Sequence, residues 1–394
     1  MGERESLLLV LALIYAGECA FWLGRNDVLF TTWLGADWRC AVGGPLLSND
    51  RGGFRLAPVL PPLGTALVQR LPSLSLSPDG VLAWSGISLH PQGRPMQSGR
   101  FVRWNDLRLI ELEGARVFLN GALFIKAPTS LHARRLAAQL EDLRKQPHDR
   151  RETSLGAALR ASFDTAVVSE RLAQAARPMQ RLRWLGNALF ASLFIGLPVV
   201  MFRAGLASWW PVVGLALLAQ TVTMAILFTR AHRALHGTAD DADRFTQALT
   251  MLLAPPAAVR AHDCLSMSLL HDTHPLAVAK ALCAPDEFRT FARQILADLT
   301  LPRLPLFASA DPDAVATEQW WRAAMLGEVN TFIRGAGLDP AALLAAPVRA
   351  EPGLRSYCPR CGAQFVMAAG VCADCGGRAL VAFEPGPDAS PAAK

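Results

Sequence analysis

Four cysteines near the C-terminus stand in two matched pairs, Cys358-Pro-Arg-Cys361-Gly and Cys372-Ala-Asp-Cys375-Gly, with ten residues between the pairs. Two short knuckles at this spacing can turn four thiolates toward one tetrahedral metal ion, and zinc is the ion such a set suits. Gly362 and Gly376 follow the second cysteine of each pair. A residue without Cβ can take the tight turn there that aims backbone N–H groups at sulfur. All four positions are cysteine, so the set is closed and leaves no coordination position open for catalysis. In an oxidising compartment the same residues would instead form two disulfides.

The segment Tyr357–Leu380 resembles a zinc ribbon of the CPxCG type, and departs from it at Ala373, where proline is common. The resemblance implies a small module held by structural zinc. So short a segment has almost no core, and metal binding, worth ~10–16 kcal/mol in small domains, would drive its folding. It further implies a docking module through which a protein partner is met.

A second stretch with residues able to do chemistry is the histidine-rich one after residue 231. Five of the eight histidines fall between 232 and 274. His232 and His236 are i, i+4 and share a helix face. His262-Asp263-Cys264 and His271-Asp272-Thr273-His274 follow. A metal using His232, His236 and one of Asp263, His271 or His274 would make this a metal-dependent membrane enzyme. Against it stand the lack of His-Glu-x-x-His and of any run of adjacent histidines. The other reading is a set of capping and packing histidines in a polar helical domain.

The elements that must carry these residues begin with two apolar runs. Trp184–Phe202 is nineteen residues without a charge and Trp209–Thr229 is twenty-one. Each is long enough to cross a hydrocarbon core, and the six residues between them allow only a tight helical hairpin over 184–230. Arg171, Arg177, Arg181 and Arg183 precede the hairpin, Arg230, His232 and Arg233 follow it, and Arg203 alone marks the turn. The positive-inside rule places both flanks in the cytoplasm of a bacterial inner membrane. The cysteines then lie in a reducing compartment, which favours metal over disulfides. Residues 6–23 form a third apolar run, interrupted by Glu18, and read as a retained N-terminal anchor.

Between anchor and hairpin, residues 24–72 are broken by proline and glycine, too often for long helices. From Leu74 short extended runs follow one another: 73–77, 81–89, 100–104, 107–112, 116–119 and 122–126, with turns at Pro78-Asp79-Gly80 and Asn120-Gly121. A helix capped at Thr129 or Ser130 then runs to about Lys145, with Leu131, Leu136, Leu140 and Leu143 on one side. Residues 74–146, with Phe101-Val-Arg-Trp-Asn-Asp-Leu107 entering a Trp-x-Asp turn, resemble the bacterial pleckstrin-homology-like domains found beside membrane helices. The resemblance implies a scaffold and not an activity. Arg134, Arg135, Arg144, Lys145, Arg150 and Arg151 make a basic helix end, read either as attracted to anionic headgroups or as a solvated face that sets topology. Residues 152–183 read as a juxtamembrane helix.

Residues 231–346 read as short helices with apolar stripes at Phe245, Leu249, Leu252 and Leu253, at 276–282, at 288–299 and at 320–332, the last containing Trp320-Trp321. Residues 346–356 link them to the ribbon at 357–380, and 384–394 form a Pro/Ala/Gly tail. The fold class expected is thus a multi-domain α+β integral membrane protein. It combines an N-terminal anchor, a small antiparallel β domain with a C-terminal helix, a helical membrane hairpin, a helical cytoplasmic domain and a zinc ribbon.

The function expected is that of a membrane-anchored, non-enzymatic scaffold or adaptor, its partners the lipid bilayer and a protein met through the ribbon. No phosphate-binding loop with lysine, no G-x-S-x-G and no Ser/His/Asp arrangement is present, and no small-molecule substrate is indicated. The pI near 9.1 raises nucleic acid as a partner. The basic surplus, however, lies before the hairpin, sixteen against nine over 100–183, while 232–394 carry fourteen basic and seventeen acidic residues. An acidic balance around the ribbon disfavours a phosphate-neutralising surface.

Overall fold

The computed structural model describes residues 5–6, 8–13, 27–31, 39–42, 65–69, 74–89, 95–127, 130–204, 206–237, 241–270, 272–301, 311–375 and 377–384. The chain is a mixture of helices and small antiparallel sheets, with two helices long and apolar enough to cross a membrane. The run 6–23 is described at residues 6 and 8–13, which are helical; Glu18 and the rest of it lie outside the described residues.

A three-stranded antiparallel sheet forms within 24–72, where no strands were expected. Asp27–Thr31 (β1) lies between Arg39–Val42 (β2) and Thr65–Gln69 (β3). Each strand is only four or five residues long, and so short an apolar run cannot be assigned from periodicity alone. Phe30 anchors the sheet: it is fully buried and meets Phe291 edge-to-face at 5.9 Å.

The β-rich unit follows. Leu74–Leu76 (β4), Gly80–Leu89 (β5) and Pro95–Arg103 (β6) form one antiparallel sheet, and Ile110–Glu113 (β7), Arg116–Leu119 (β8) and Ala122–Lys126 (β9) another. The turn at 77–80 closes as its residues dictate, with the amides of Asp79 and Gly80 donating to Ser77 Oγ at 3.3 and 3.2 Å. Asn120 (φ +52°) and Gly121 (φ +76°) both take the left-handed region that a tight hairpin requires. Asn120 does more than turn the chain. Its Oδ1 accepts from the amides of Arg108 and Leu109 at 2.8 and 3.1 Å. Those amides are thereby withdrawn from strand pairing, so the strand expected from 107 begins at Ile110. The strand expected to end at Trp104 stops one residue earlier, in a single turn of 3-10 helix over Trp104–Asp106. That turn drives the indole into the core, where Nε1 donates to Ser77 O at 2.8 Å. Helix α1 (Ser130–Lys145) closes the unit with Leu131, Leu136, Leu140 and Leu143 buried, as their spacing requires.

Helix α2 (His148–Ser162) opens with a correction to the basic surface. Arg151 is buried: its Nε donates to Leu143 O at 2.8 Å and its Nη1 to Pro78 O at 3.0 Å, over the Trp104 ring. Burial lowers its pKa, and the nearby Asp79 charge works against that shift. Arg144 and Lys145 both pair with Glu141 instead of standing free.

Helix α3 (Thr165–Ala191), capped by Asp164, continues through one wide π turn at Ser192–Gly196 into α4 (Leu197–Ala204). The wide turn has a local cause. Pro198 has no N–H to keep the ladder regular, and the Leu197 amide reaches back to Ser192 O. Helix α5 (Leu206–His236) returns against α3. Val168, Ala175, Met179, Leu182, Leu189 and Leu193 face Met224, Phe228 and Ala231 in one apolar core.

The same core runs on without a break into Asp241–Leu253 (α6), Pro255–Val259 (α7), Ala261–Leu269 (α8), Pro275–Leu282 (α9), Pro285–Thr300 (α10), Pro312–Gly335 (α11) and Pro340–Leu344 (α12). Helix α11 joins this body to the β-rich unit. Trp320 and Trp321 pack on the β core, Thr317 Oγ1 lies 3.0 Å from Ser77 Oγ, and Asp313 pairs with Arg103.

Arg151→Leu would orphan two buried carbonyls at once. It should lower the stability of the chain by about 2–3 kcal/mol, read as a drop in thermal midpoint, whereas Arg150→Leu on the exposed side should change it little.

Candidate metal centre

Five strands of two residues each shape the ribbon: Ser356–Tyr357 (β10), Gln364–Phe365 (β11), Val371–Cys372 (β12), Arg378–Ala379 (β13) and Val381–Ala382 (β14). Strand β10 lies between β11 and β14, and β12 pairs with β13. The first knuckle closes with the Gly362 amide donating to Cys358 O at 2.9 Å and the Cys358 amide to Ala363 O at 2.8 Å. Gly362 sits at φ +76°, the left-handed conformation expected there. In the second knuckle Gly377 (φ +82°) donates to Cys372 O at 3.0 Å, and Gly376 lies outside the described residues.

The ligand atoms of Cys358, Cys361, Cys372 and Cys375 all lie within 4.8 Å of one another. Tetrahedral zinc with bonds of about 2.3 Å needs sulfurs about 3.8 Å apart, so a small contraction would seat an ion. The sulfurs of Cys361 and Cys372 are 3.9 Å apart, and all four are free thiols. Three of them are buried.

Side-chain hydrogen bonding from Cys361 and Cys375 pulls the Cys358 thiol far below its usual range, and the amides of Cys361 and Arg360 add to the effect. The opposite shift falls on its neighbours. Burial and then the Cys358 and Cys361 charges push Cys372 up to about 11, and Cys375 rises through its bonds to Cys358 and Cys361. Four sulfurs this close cannot all be anionic unless a cation sits among them. The arrangement can hold a metal ion and offers no open position for a substrate.

Helix α10 fixes the ribbon from outside, and no spacing rule pointed to its residues. Arg360, inside the first knuckle, donates to Asp298 through Nε at 2.7 Å and Nη2 at 2.9 Å, while Nη1 points at Cys375 Sγ at 3.7 Å. Burial works against the Arg360 charge, but the Asp298 carboxylate and the Cys375 sulfur outweigh it and hold the guanidinium above its ordinary range. Arg293, one and a half turns earlier on α10, donates to Leu343 O at 2.7 Å, Ala345 O at 3.0 Å and Pro359 O at 3.4 Å. The 346–356 segment is tied in as well, with Gln364 Nε2 donating to Val348 O at 2.7 Å.

Among the described histidines, His232 and His236 stay side by side, and no three are close enough to share an ion. His236 Nε2 lies 2.9 Å from Ser268 Oγ, and the His232 and His236 rings are 4.7 Å apart. His262 and Arg260 flank the buried Asp263 at 3.5 and 3.1 Å. His274 stacks on Phe163 at 4.2 Å and accepts from the Leu276 amide, capping α9. His271 lies outside the described residues. Among the described residues, the four cysteines are the one group of metal-binding type close enough to share an ion. Cys283 is half-buried, and this burial, with the Glu287 charge adding to it, pushes its thiol up to about 12. No protein-family model matches the chain, and no curated protein or solved structure matches it. The likeness of residues 74–146 to pleckstrin-homology-like domains is therefore unsupported.

Because Cys372 and Cys375 hold their protons tightly, metal loading must expel them. Zinc binding should release protons and tighten as pH rises through neutrality, which calorimetry in buffers of differing ionisation enthalpy would detect. Asp298→Asn should speed zinc loss to a chelator roughly tenfold, equivalent to ~1.4 kcal/mol, although Asp298 is no ligand.

Proposed function

We propose that this chain is a membrane-anchored, non-enzymatic adaptor whose zinc ribbon meets a protein partner at the cytoplasmic face of a bacterial inner membrane. The observation that carries the reading is the two-sidedness of the ribbon. Arg360 and Arg293 fasten it to the helical body on one side, while Val366, Met367, Val371 and Val381 remain exposed. Apolar side chains gathered on so small a module suit burial against another protein. A closed four-cysteine set favours zinc in a structural role.

Membrane anchoring is supported by the faces of the two long helices. Only 22% of each apolar window is buried, whereas a core helix of a soluble protein would hide most of its surface. Ile195, Val199, Phe202, Val212, Leu215, Leu218 and Ile226 all face outward. Orientation follows from the arginines: Arg177, Arg181, Arg230 and Arg233 gather at one end of the pair, with Arg203 alone at the other. The β-rich unit, the helical body and the ribbon would then all face the cytoplasm.

Two measurements test the adaptor. The purified chain should carry one zinc, lost in Cys358→Ser; a second metal that survives this change and disappears with His236→Ala would favour a metal-dependent enzyme instead. A partner captured with the wild-type chain should be lost both on removing residues 357–394 and in a Val366→Asp/Val381→Asp variant that keeps its zinc. Identical partners in all three would sink the proposal.

A further inference from the structure

Helix α6 carries its apolar stripe on the wrong side for a core helix. Phe245 and Leu253 are 69% and 77% exposed, and Leu249 and Leu252 are exposed with them. The inward face instead holds Arg244 and Met251. The sequence from Phe245 to Val259 is fifteen residues without a charge, preceded by Asp240, Asp241 and Asp243. The helix thus becomes steadily more apolar toward its C-terminal end, where Pro255-Pro256 turns the chain into α7.

Three observations say what lies against this stripe. The first is continuity. A four-residue connection folds α6 back along α5. At 1.5 Å per residue, the ~18 Å from Asp241 to Leu253 retraces α5 from His236 toward Ile226. The stripe therefore lies alongside the end of the apolar α5, from the exposed Ile226 to the exposed Arg230 and Arg233. The second is the backbone of the elbow. Pro255 and Pro256 have no N–H to satisfy, and the amides of Ala254, Ala257 and Ala258 donate to Thr250 O, Ala254 O and Ala254 O at 2.9, 2.8 and 3.4 Å. The N–H groups of the elbow are thus satisfied within the chain, while the carbonyls of Met251 and Leu252, whose i+4 residues are these prolines, keep it at headgroup depth. The third is that the Thr250 hydroxyl on the outward face donates back to Thr246 O at 2.8 Å.

We propose that α6 and the α6–α7 elbow form a wedge seated in the acyl–headgroup boundary of the inner leaflet, with Phe245, Leu249, Leu252 and Leu253 in contact with lipid chains. The proposal rests on the membrane reading above. Thirteen residues are too few to cross the bilayer, so the wedge lies in one leaflet. It grips the membrane beside the hairpin and fixes the tilt of the helical body that carries the ribbon.

The test is carbene photolabelling of the full-length chain in phospholipid vesicles, using an aryl diazirine that partitions into the acyl phase. Peptides covering 209–229, 245–259 and 285–300 are then compared. Label in 245–259 should approach that in 209–229 and exceed that in 285–300 at least about tenfold. Leu253→Asp should remove most of it from 245–259 and leave 209–229 unchanged. If 209–229 is labelled while 245–259 stays at the level of 285–300, a protein surface covers the stripe, whether the N-terminal run or a second copy, and the wedge is refuted. If neither is labelled, the membrane reading fails and takes the wedge with it.

Discussion

Ile195, Val199, Phe202, Val212, Leu215, Leu218 and Ile226 leave the two long helices with outward residues as apolar as those buried between them. A two-helix hairpin of this kind can bury only one stripe per helix against its partner, and the rest would be satisfied by an apolar surrounding. Everything else is arranged around that demand. Buried Val168, Met179, Leu182, Met224 and Phe228 begin a core that runs unbroken into helices α6 to α12. Phe30 brings the N-terminal sheet onto the same core through Phe291.

The polar groups near the arginine-rich end of the hairpin are used to hold this body together. Arg171 on α3 donates to Asp272 at 3.0 Å and to Leu269 O at 3.3 Å, so an arginine ahead of the apolar runs also pins the segment before α9. Asp263, 2% exposed, is met by Arg260 and His262. His274 caps a helix and His236 reaches Ser268. Buried polar groups must be satisfied, and these contacts answer that requirement without convergence on a common ion.

The ribbon is joined to the body by charge. Arg360 lies between the Asp298 carboxylate and the Cys375 sulfur, so the guanidinium belongs at once to the interface and to the surroundings of the metal. A charge-assisted hydrogen bond to a ligating sulfur supports that ligand's anionic form. Metal binding and docking of the ribbon are thereby linked through one side chain, and the knuckle sequence alone, with arginine between the cysteines, carried no sign of its partner.

What the residues determined on their own were features of short range. The spacing of Cys358, Cys361, Cys372 and Cys375 required sulfurs that converge, the Asn120-Gly121 pair required a tight hairpin, and the leucines of α1 required one buried face. Each of these is set by backbone geometry within a few residues. The strands of 27–69 were not legible, because four or five residues carry too few repeats of any pattern. Tertiary structure alone decided which side of α6 is covered, since Phe245, Leu249, Leu252 and Leu253 form the same stripe whether it faces a core or a membrane. It alone brought Asp298 to Arg360, sixty-two positions apart, and Arg151 to Pro78 O, seventy-three apart. Contacts at that range depend on how whole elements stack, which local spacing does not encode.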